Sequence, residues 1–227
     1  MIDIKNLTVS YADATVAIKD LSLQIDDGDS IALIGGNGAG KTSLMLAIVG
    51  ILSADSGSIT VADVEVNKKN LETIRKWVGL VFQNPDDQLF MPRTYDDIAF
   101  GPRGYGHSED EIAEKVGMAL KLLNIEHLKD KSSLKLSYGE RRSVAIASIM
   151  VMNPRIIMFD EPTAFLDPKA RRNLINKLKD FPQTKIIATH DINFARETCN
   201  RAVILENGTS IKEGTAEELL SDIHLLE

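Results

Sequence analysis

The sequence predicts an α/β fold: a core with a mainly parallel sheet, an antiparallel N-terminal β-subdomain and a helical insertion. Three observations carry this. The apolar run Ile31-Ala32-Leu33-Ile34 passes through the glycine-rich stretch GGNGAGKTS, Gly35 to Ser43, into the apolar run from Leu44 to Val49, which reads as buried strand, turn and helix. Short β-rich runs return at Ile156 to Phe159 and at Lys185 to Thr189, separated by a polar helical stretch near Lys169 to Lys179. Between these two halves, from about Asp86 to Asn153, helical signals dominate.

The elements follow in order. Ile2, Ile4, Leu7 and Val9, then Val16 and Ile18, then Leu21, Leu23 and Ile25 alternate as half-buried strands do. Asp26-Asp27-Gly28-Asp29 turns the chain into the buried strand before the glycines. Gly57 to Val64 and Val78 to Phe82 read as further strands. Ser108 and Glu111 have the spacing of a capping box opening an amphipathic helix through Leu123, and a second helix is expected from about Gly139 to Met152. Asn207-Gly208, between apolar runs from Ala202 to Lys212, predicts a hairpin. The expected organisation is one domain over 1–227, with an α/β core from 1–85 and 154–227 and a helical subdomain at 86–153.

Composition narrows the function classes. With 227 residues and 44% hydrophobic content the chain is long enough for a full core. Its longest apolar stretch, Val144 to Met152, is interrupted by Ser148 and is too short to cross a bilayer. The N-terminus lacks the pattern of a signal peptide. The expectation is a soluble cytoplasmic protein that acts at a membrane, if at all, as a peripheral subunit on its inner face. A net charge of -7 and a pI near 5.2 argue against a broad nucleic-acid surface. The single cysteine, Cys199, excludes an internal disulfide or a thiolate cluster and reads as packing. His107, His127 and His224 sit among polar residues and are expected at the surface.

The chemistry gathers at a few positions. Gly35, Gly36, Gly38 and Gly40, with Asn37 and Ala39 between them, leave main-chain N–H groups free to surround an anion at the positive end of the next helix. Lys41 is expected to reach the β- and γ-phosphates of a nucleotide, and Thr42, followed by Ser43, to place its hydroxyl on Mg²⁺. Asp160 ends a strand where a carboxylate can orient Mg²⁺, and Glu161 follows as a candidate general base. His190 follows the next strand; parallel neighbours end on one edge of a sheet, so it is expected to reach the γ-phosphate. Gln83 ends the strand beginning at Val78, where a neutral amide could touch Mg²⁺ or water. Tyr11 follows the first strand and could stack on a base, or simply pack. Ser137 reads either as a helix cap or as part of a helix start that binds a phosphate held by another subunit. In the second reading Asp167 lies at the seam between two subunits.

In this order the pieces resemble the nucleotide-binding subunits of ATP-binding-cassette (ABC) transporters, over essentially the whole chain. GGNGAGKTS matches the Walker A loop, Gln83 the Q-loop and Leu136-Ser137-Tyr138-Gly139-Glu140 the signature. Ile156 to Glu161 matches Walker B, Phe165-Leu166-Asp167 the D-loop, His190 the H-loop and Tyr11 the A-loop. The resemblance implies an ATPase whose two subunits, identical or different, sandwich two ATP molecules with Mg²⁺, each between one glycine loop and the opposing signature. Glu161, His190 and Lys41 would be catalytic, and Thr42, Gln83 and Asp160 would serve the metal. Phe82 to Phe90 and Asp97 to Pro102 look like energy-coupling-factor importers, including cobalt and nickel systems. That implies a transmembrane scaffold subunit docking near Asp86, Asp87, Leu89 and Phe90, with cargo touching only the membrane subunits. Other transporter classes and non-transport ABC ATPases are the alternative readings. Tyr138 replaces the first of the signature's two glycines and Phe165 stands where a small residue is usual, features that suit a heterodimer.

Overall fold

The computed structural model describes residues 1–221, which fall into two compact units. One comprises Met1–Leu80, Arg155–Glu161 and the chain from Pro182; the other comprises Val81–Pro154 and Pro162–Phe181. The division therefore falls a few residues before the expected boundary at 85, and it places the helix expected near 169–179 with the helical unit.

In chain order the first stretch holds β1 (Ile2–Ser10), β2 (Val16–Ile25), β3 (Ser30–Ile34), α1 (Lys41–Ile48), β4 (Ser56–Val61), β5 (Val64–Glu65), α2 (Leu71–Trp77) and β6 (Val78–Val81). Then come α3 (Thr94–Gly104), α4 (Glu109–Leu122) and α5 (Tyr138–Met150). They are followed by β7 (Ile156–Asp160), α6 (Pro168–Asp180), β8 (Thr184–Ala188) and α7 (Ile192–Thr198). The last elements are β9 (Arg201–Glu206), β10 (Thr209–Thr215) and α8 (Ala216–Ser221).

β2, β1, β4 and β5 form an antiparallel sheet of four strands in that order. Its first two strands explain a break in the sequence pattern. Asn6 (φ 46°) and Asp20 (φ 47°) take left-handed conformations, and the β1–β2 register shifts between Ile4 and Leu7. The shift changes the parity of inward residues, from Ile2 and Ile4 to Leu7 and Val9 on β1, and from Ile18 to Leu21, Leu23 and Ile25 on β2. The two runs seen on either side of Asp20 are therefore one strand, tied to its neighbour by Asn6 Nδ2 donating to Asp20 Oδ1 at 3.0 Å.

The second sheet has the order β10-β9-β3-β8-β7-β6. β3 runs parallel to β8 and β9, and β7 runs parallel to β8. Every residue of β3, β7 and β8 is buried, the continuous burial of parallel strands covered on both faces. β9 and β10 form the expected hairpin, turning over Asn207 (φ 49°) and Gly208 (φ 82°). Cys199 packs partly buried against a cluster including Ala32, Ile34, Ala195 and Ile204, and burial pushes its thiol pKa up.

In the helical unit α3, α4 and α5 pack on one another. The Ser108–Glu111 capping box is present on α4: Ser108 Oγ accepts from the Glu111 N–H, and Glu111 Oε2 accepts from the Ser108 N–H at 2.8 Å. Among the described residues no helix is long and apolar enough to cross a membrane. His224 lies outside the described residues.

Candidate active site

Register fixes the first half of the site. Leu33 of β3 and Asp160 of β7 both pair with Ala188 of β8, so the three strands end level on one edge. From that edge leave the glycine loop, the Asp160-Glu161 pair and Thr189-His190. Gly35 is required by crowding: a Cβ there would sit 2.3 Å from the Leu205 carbonyl oxygen. Gly40, at φ 102°, would place a Cβ 2.7 Å from the Ala17 carbonyl oxygen, so the turn into α1 is pressed against β2. A Cβ on Gly36 or Gly38 would meet nothing within 4 Å, which leaves that side of the loop open.

Lys41 is 7% exposed, and its Nζ donates to the carbonyl oxygens of Gly35 at 2.7 Å and Gly36 at 3.0 Å. The cation is thus held over the loop. Thr42 Oγ1 donates to Asp160 Oδ2 at 2.7 Å, bringing together two hard oxygen donors from the helix start and the strand end. Tyr11 is 41% exposed, with its hydroxyl 2.7 Å from Ser43 Oγ. That bond fixes one end of the phenol while its ring stays accessible.

Glu161 is the most constrained member. It takes a left-handed φ of 41°, its N–H donates to the Ala188 carbonyl at 2.9 Å, and it is 7% exposed. Thr189 Oγ1 donates to its Oε2 at 3.2 Å, and His190 Nδ1 lies 3.0 Å from its Oε1. A carboxylate only accepts, so Nδ1 carries the hydrogen and a neutral imidazole keeps Nε2 as an acceptor. The His190 side chain is 74% exposed, so that nitrogen has access to solvent.

The helical unit carries the other expected residues. Ser137 caps α5 in a second capping box: Glu140 Oε2 accepts from the Ser137 N–H and hydroxyl, both at 2.8 Å. The Ser137 backbone N–H, then its hydroxyl, hold the Glu140 carboxyl below its ordinary pKa. Gly139 abuts α6, where an added Cβ would meet the Ala170 Cβ at 3.3 Å. Tyr138 donates from its hydroxyl to the Gln83 carbonyl at 3.1 Å and meets the Phe165 ring edge-on, centroids 5.7 Å apart. Asp167 caps α6, its Oδ1 accepting from the N–H of Lys169 at 2.9 Å and of Ala170 at 3.0 Å. Gln83 itself is exposed.

The expected docking segment is partly corrected. Leu89 is buried at 9% exposure and anchors its loop, so it is no surface residue. Phe90 is 65% exposed and stacks edge-on with Phe100 at 4.9 Å. Asp86 is engaged within the chain, with its Oδ1 3.4 Å from Arg141 Nη1, while Asp87 is exposed.

Four residues that shape the site escaped sequence reasoning. Thr189 was hidden as a strand-end residue; its position between a strand and a histidine was the available signal. Arg142, 1% exposed, donates to the carbonyls of Phe82 (2.7 Å) and Gln83, an arrangement without local sequence signature. Gln88 bonds the Ala145 carbonyl at 2.7 Å, and Asp97 accepts from the N–H groups of Phe90 and Met91, both at 2.9 Å. Together these set the loop after β6.

A lysine folded over a glycine turn, and an acidic pair two strands along in the same sheet, define a phosphate-loop nucleoside triphosphatase. Residues 18–164 match the family model described as ABC transporter, and the chain belongs to that family, as an ATP-binding, ATP-hydrolysing subunit of a transporter. A relative from Gloeobacter violaceus, with a name no more specific than ABC transporter ATP-binding protein, is 41% identical over 99% of this chain and 93% of its own. The energy-coupling factor transporter ATP-binding protein EcfA of Methanocaldococcus jannaschii is 37% identical over 100% of this chain and 83% of its own. Among solved structures, CbiO1 of Clostridium perfringens, described as part of the ABC transporter complex CbiONQ, superposes with a TM-score of 0.88 at 37% identity, covering 99% of this chain and 92% of that one. The MJ0796 cassette, described as a dimer in a post-hydrolysis state bound to ADP and phosphate, gives 0.85 at 26% identity over 95% and 99%.

Proposed function

We propose that this chain powers an importer of the energy-coupling-factor type, for a cobalt or nickel ion or a vitamin, by ATP-driven closure of an ATPase pair. The observation that carries the importer reading is the loop after β6. Its sequence is part of what resembles those importers, and Gln88, Asp97 and Arg142 hold it while Phe90 on the loop and Phe100 on α3 stay exposed side by side. Exposed aromatics on a braced loop suit the reception of helices from a membrane scaffold. The likeness to CbiO1 and EcfA supports the same reading.

The geometry supports a set of hydrolytic roles. Lys41 offsets phosphate charge from its place over the loop, and the open side at Gly36 and Gly38 lets N–H groups approach the anion. Glu161 accepts the proton of the attacking water, and Thr189 and His190 hold its carboxylate in position. His190 directs Nε2 outward to hold that water against the γ-phosphate. The Thr42 hydroxyl, with Asp160 behind it and Gln83 as a neutral contributor, would hold Mg²⁺, which supplies Lewis-acid neutralisation of phosphate charge. Tyr11 takes the base. Ser137, Tyr138, Gly139 and Glu140 present the start of α5 to the nucleotide of a second subunit, and Asp167 lies at the seam between them. The site is peripheral to the inner face of the membrane, and cargo never meets this chain.

Co-expression with a candidate membrane scaffold subunit tests this. The expected result is co-purification that is lost in Phe90→Asp, and phosphate release that rises when the scaffold is present. A chain that hydrolyses ATP but captures no scaffold belongs to another transporter class.

A further inference from the structure

Two aromatic side chains beside the proposed signature and seam residues touch each other. Tyr138 is the first residue of α5, and Phe165 lies in the loop before α6 at φ 61° with 81% of its surface exposed. Phe165 closes a turn in which the Leu166 N–H donates to the Thr163 carbonyl at 3.2 Å, and a left-handed φ is uncommon for an aromatic residue. The ring of Tyr138 supports it from the side, with centroids 5.7 Å apart and planes at 74°. The same Tyr138 donates its hydroxyl to the Gln83 carbonyl at 3.1 Å, an oxygen that also accepts from Arg142. The Arg142 guanidinium lies 5.7 Å from the Tyr138 ring centroid and is itself fixed by donating to the Phe82 carbonyl at 2.7 Å. One side chain therefore joins three segments: the loop at Gln83, the start of α5 and the loop leading to Asp167.

We propose that Tyr138 and Phe165 are a positioning pair, through which the loop at Gln83 sets the Phe165-Leu166-Asp167 loop for hydrolysis at the site completed by the second subunit. This rests on the proposed function, since Ser137 and Asp167 face that subunit only in that reading. The pair acts by positioning the loop, not by chemistry on the nucleotide or water. A residue wider than glycine at position 138 and an aromatic at 165 are thereby parts of one device, and neither works without the other.

The test compares the full-length parent with Tyr138→Ala, Phe165→Ala, the double variant and Tyr138→Phe. Each single alanine is expected to lower kcat about fivefold while leaving KM for ATP within about twofold. The double variant should lose only about fivefold in total, not the roughly 25-fold product expected of independent sites. Tyr138→Phe keeps the ring contact with Phe165 but removes the bond to the Gln83 carbonyl, so its kcat should fall about as far as that of Tyr138→Ala. Hydrogen exchange in nucleotide-free protein gives a second reading: amides of residues 163–167 should exchange faster in Tyr138→Ala and at the parental rate in Tyr138→Phe. Multiplying losses, or parental exchange in Tyr138→Ala, would overturn the pair. A parent that releases no phosphate counts against the proposed function, and the exchange experiment then decides the pair alone.

Discussion

Glu161 and His190 hold each other from the ends of neighbouring strands, Oε1 to Nδ1 at 3.0 Å, with Thr189 closing the other side of the carboxylate. The arrangement supports the proposed division of labour. The buried glutamate has both oxygens committed to positioning partners, and the exposed imidazole presents its second nitrogen outward.

Glu161→Gln removes the proposed base and keeps the shape. Turnover should fall at least about a hundredfold, with ATP affinity within about threefold of the parent. Phosphate release and equilibrium dialysis on the same preparation check both. Equal turnover by variant and parent counts against Glu161 as the base.

His190→Ala removes one of the two groups that orient Glu161, along with the outward nitrogen. An expected loss of about a hundredfold in kcat, with little change in melting temperature, reflects a side chain that is 74% exposed and contributes little to packing. Calorimetry alongside steady-state kinetics separates the two effects.

Asp160→Asn weakens the acceptor behind the Thr42 hydroxyl. The Mg²⁺ concentration giving half-maximal turnover should rise between about tenfold and a hundredfold, the usual effect of disturbing groups that orient a metal ligand. Metal titration of the phosphate-release rate measures it.

The Ser137–Glu140 box gives a prediction for pH. The Glu140 carboxyl is held below its ordinary value of 4.5, so its contribution to stability is fully present above that pH. It is lost as pH falls through the lower, folded-state value. Glu140→Gln keeps the shape of the box without the charge. The variant should melt below the parent at pH 7, and the gap should narrow as the pH is lowered past about 4. A gap independent of pH would show that the carboxylate charge contributes nothing there. Ser137→Ala, which removes the cap and a hydroxyl that donates to the Glu140 carboxylate, should cost about 1 kcal/mol at pH 7 and less as the pH falls past about 4.

Much of this was legible because the responsible physics is local. The glycine loop, the acidic strand end, the Ser108–Glu111 capping box, the Ser137 cap and the Asn207-Gly208 turn depend on residues within a few positions of one another. The parity shift at Asn6 and Asp20 was visible only as two separate apolar runs, because a bulge is defined by its partner strand. Leu89 looked like a docking residue because an apolar side chain in a polar stretch has the same sequence signature whether it faces outward or anchors its loop. Thr189, Arg142 and the Tyr138–Phe165 contact join segments far apart in the chain, and no spacing rule reaches them. Tyr138 and Phe165 each read as an isolated oddity in sequence; in space they are one.

The account depends most on two protomers completing each other's sites around ATP. Light scattering of Glu161→Gln with Mg²⁺ and ATP tests that directly, because the variant is expected to bind without releasing its partner. The predicted result is a species of twice the 25.0 kDa chain mass, with one ATP per chain, that reverts to single chains when Lys41→Ala is added to the same protein. Chains that carry ATP yet stay at the single-chain mass would contradict it.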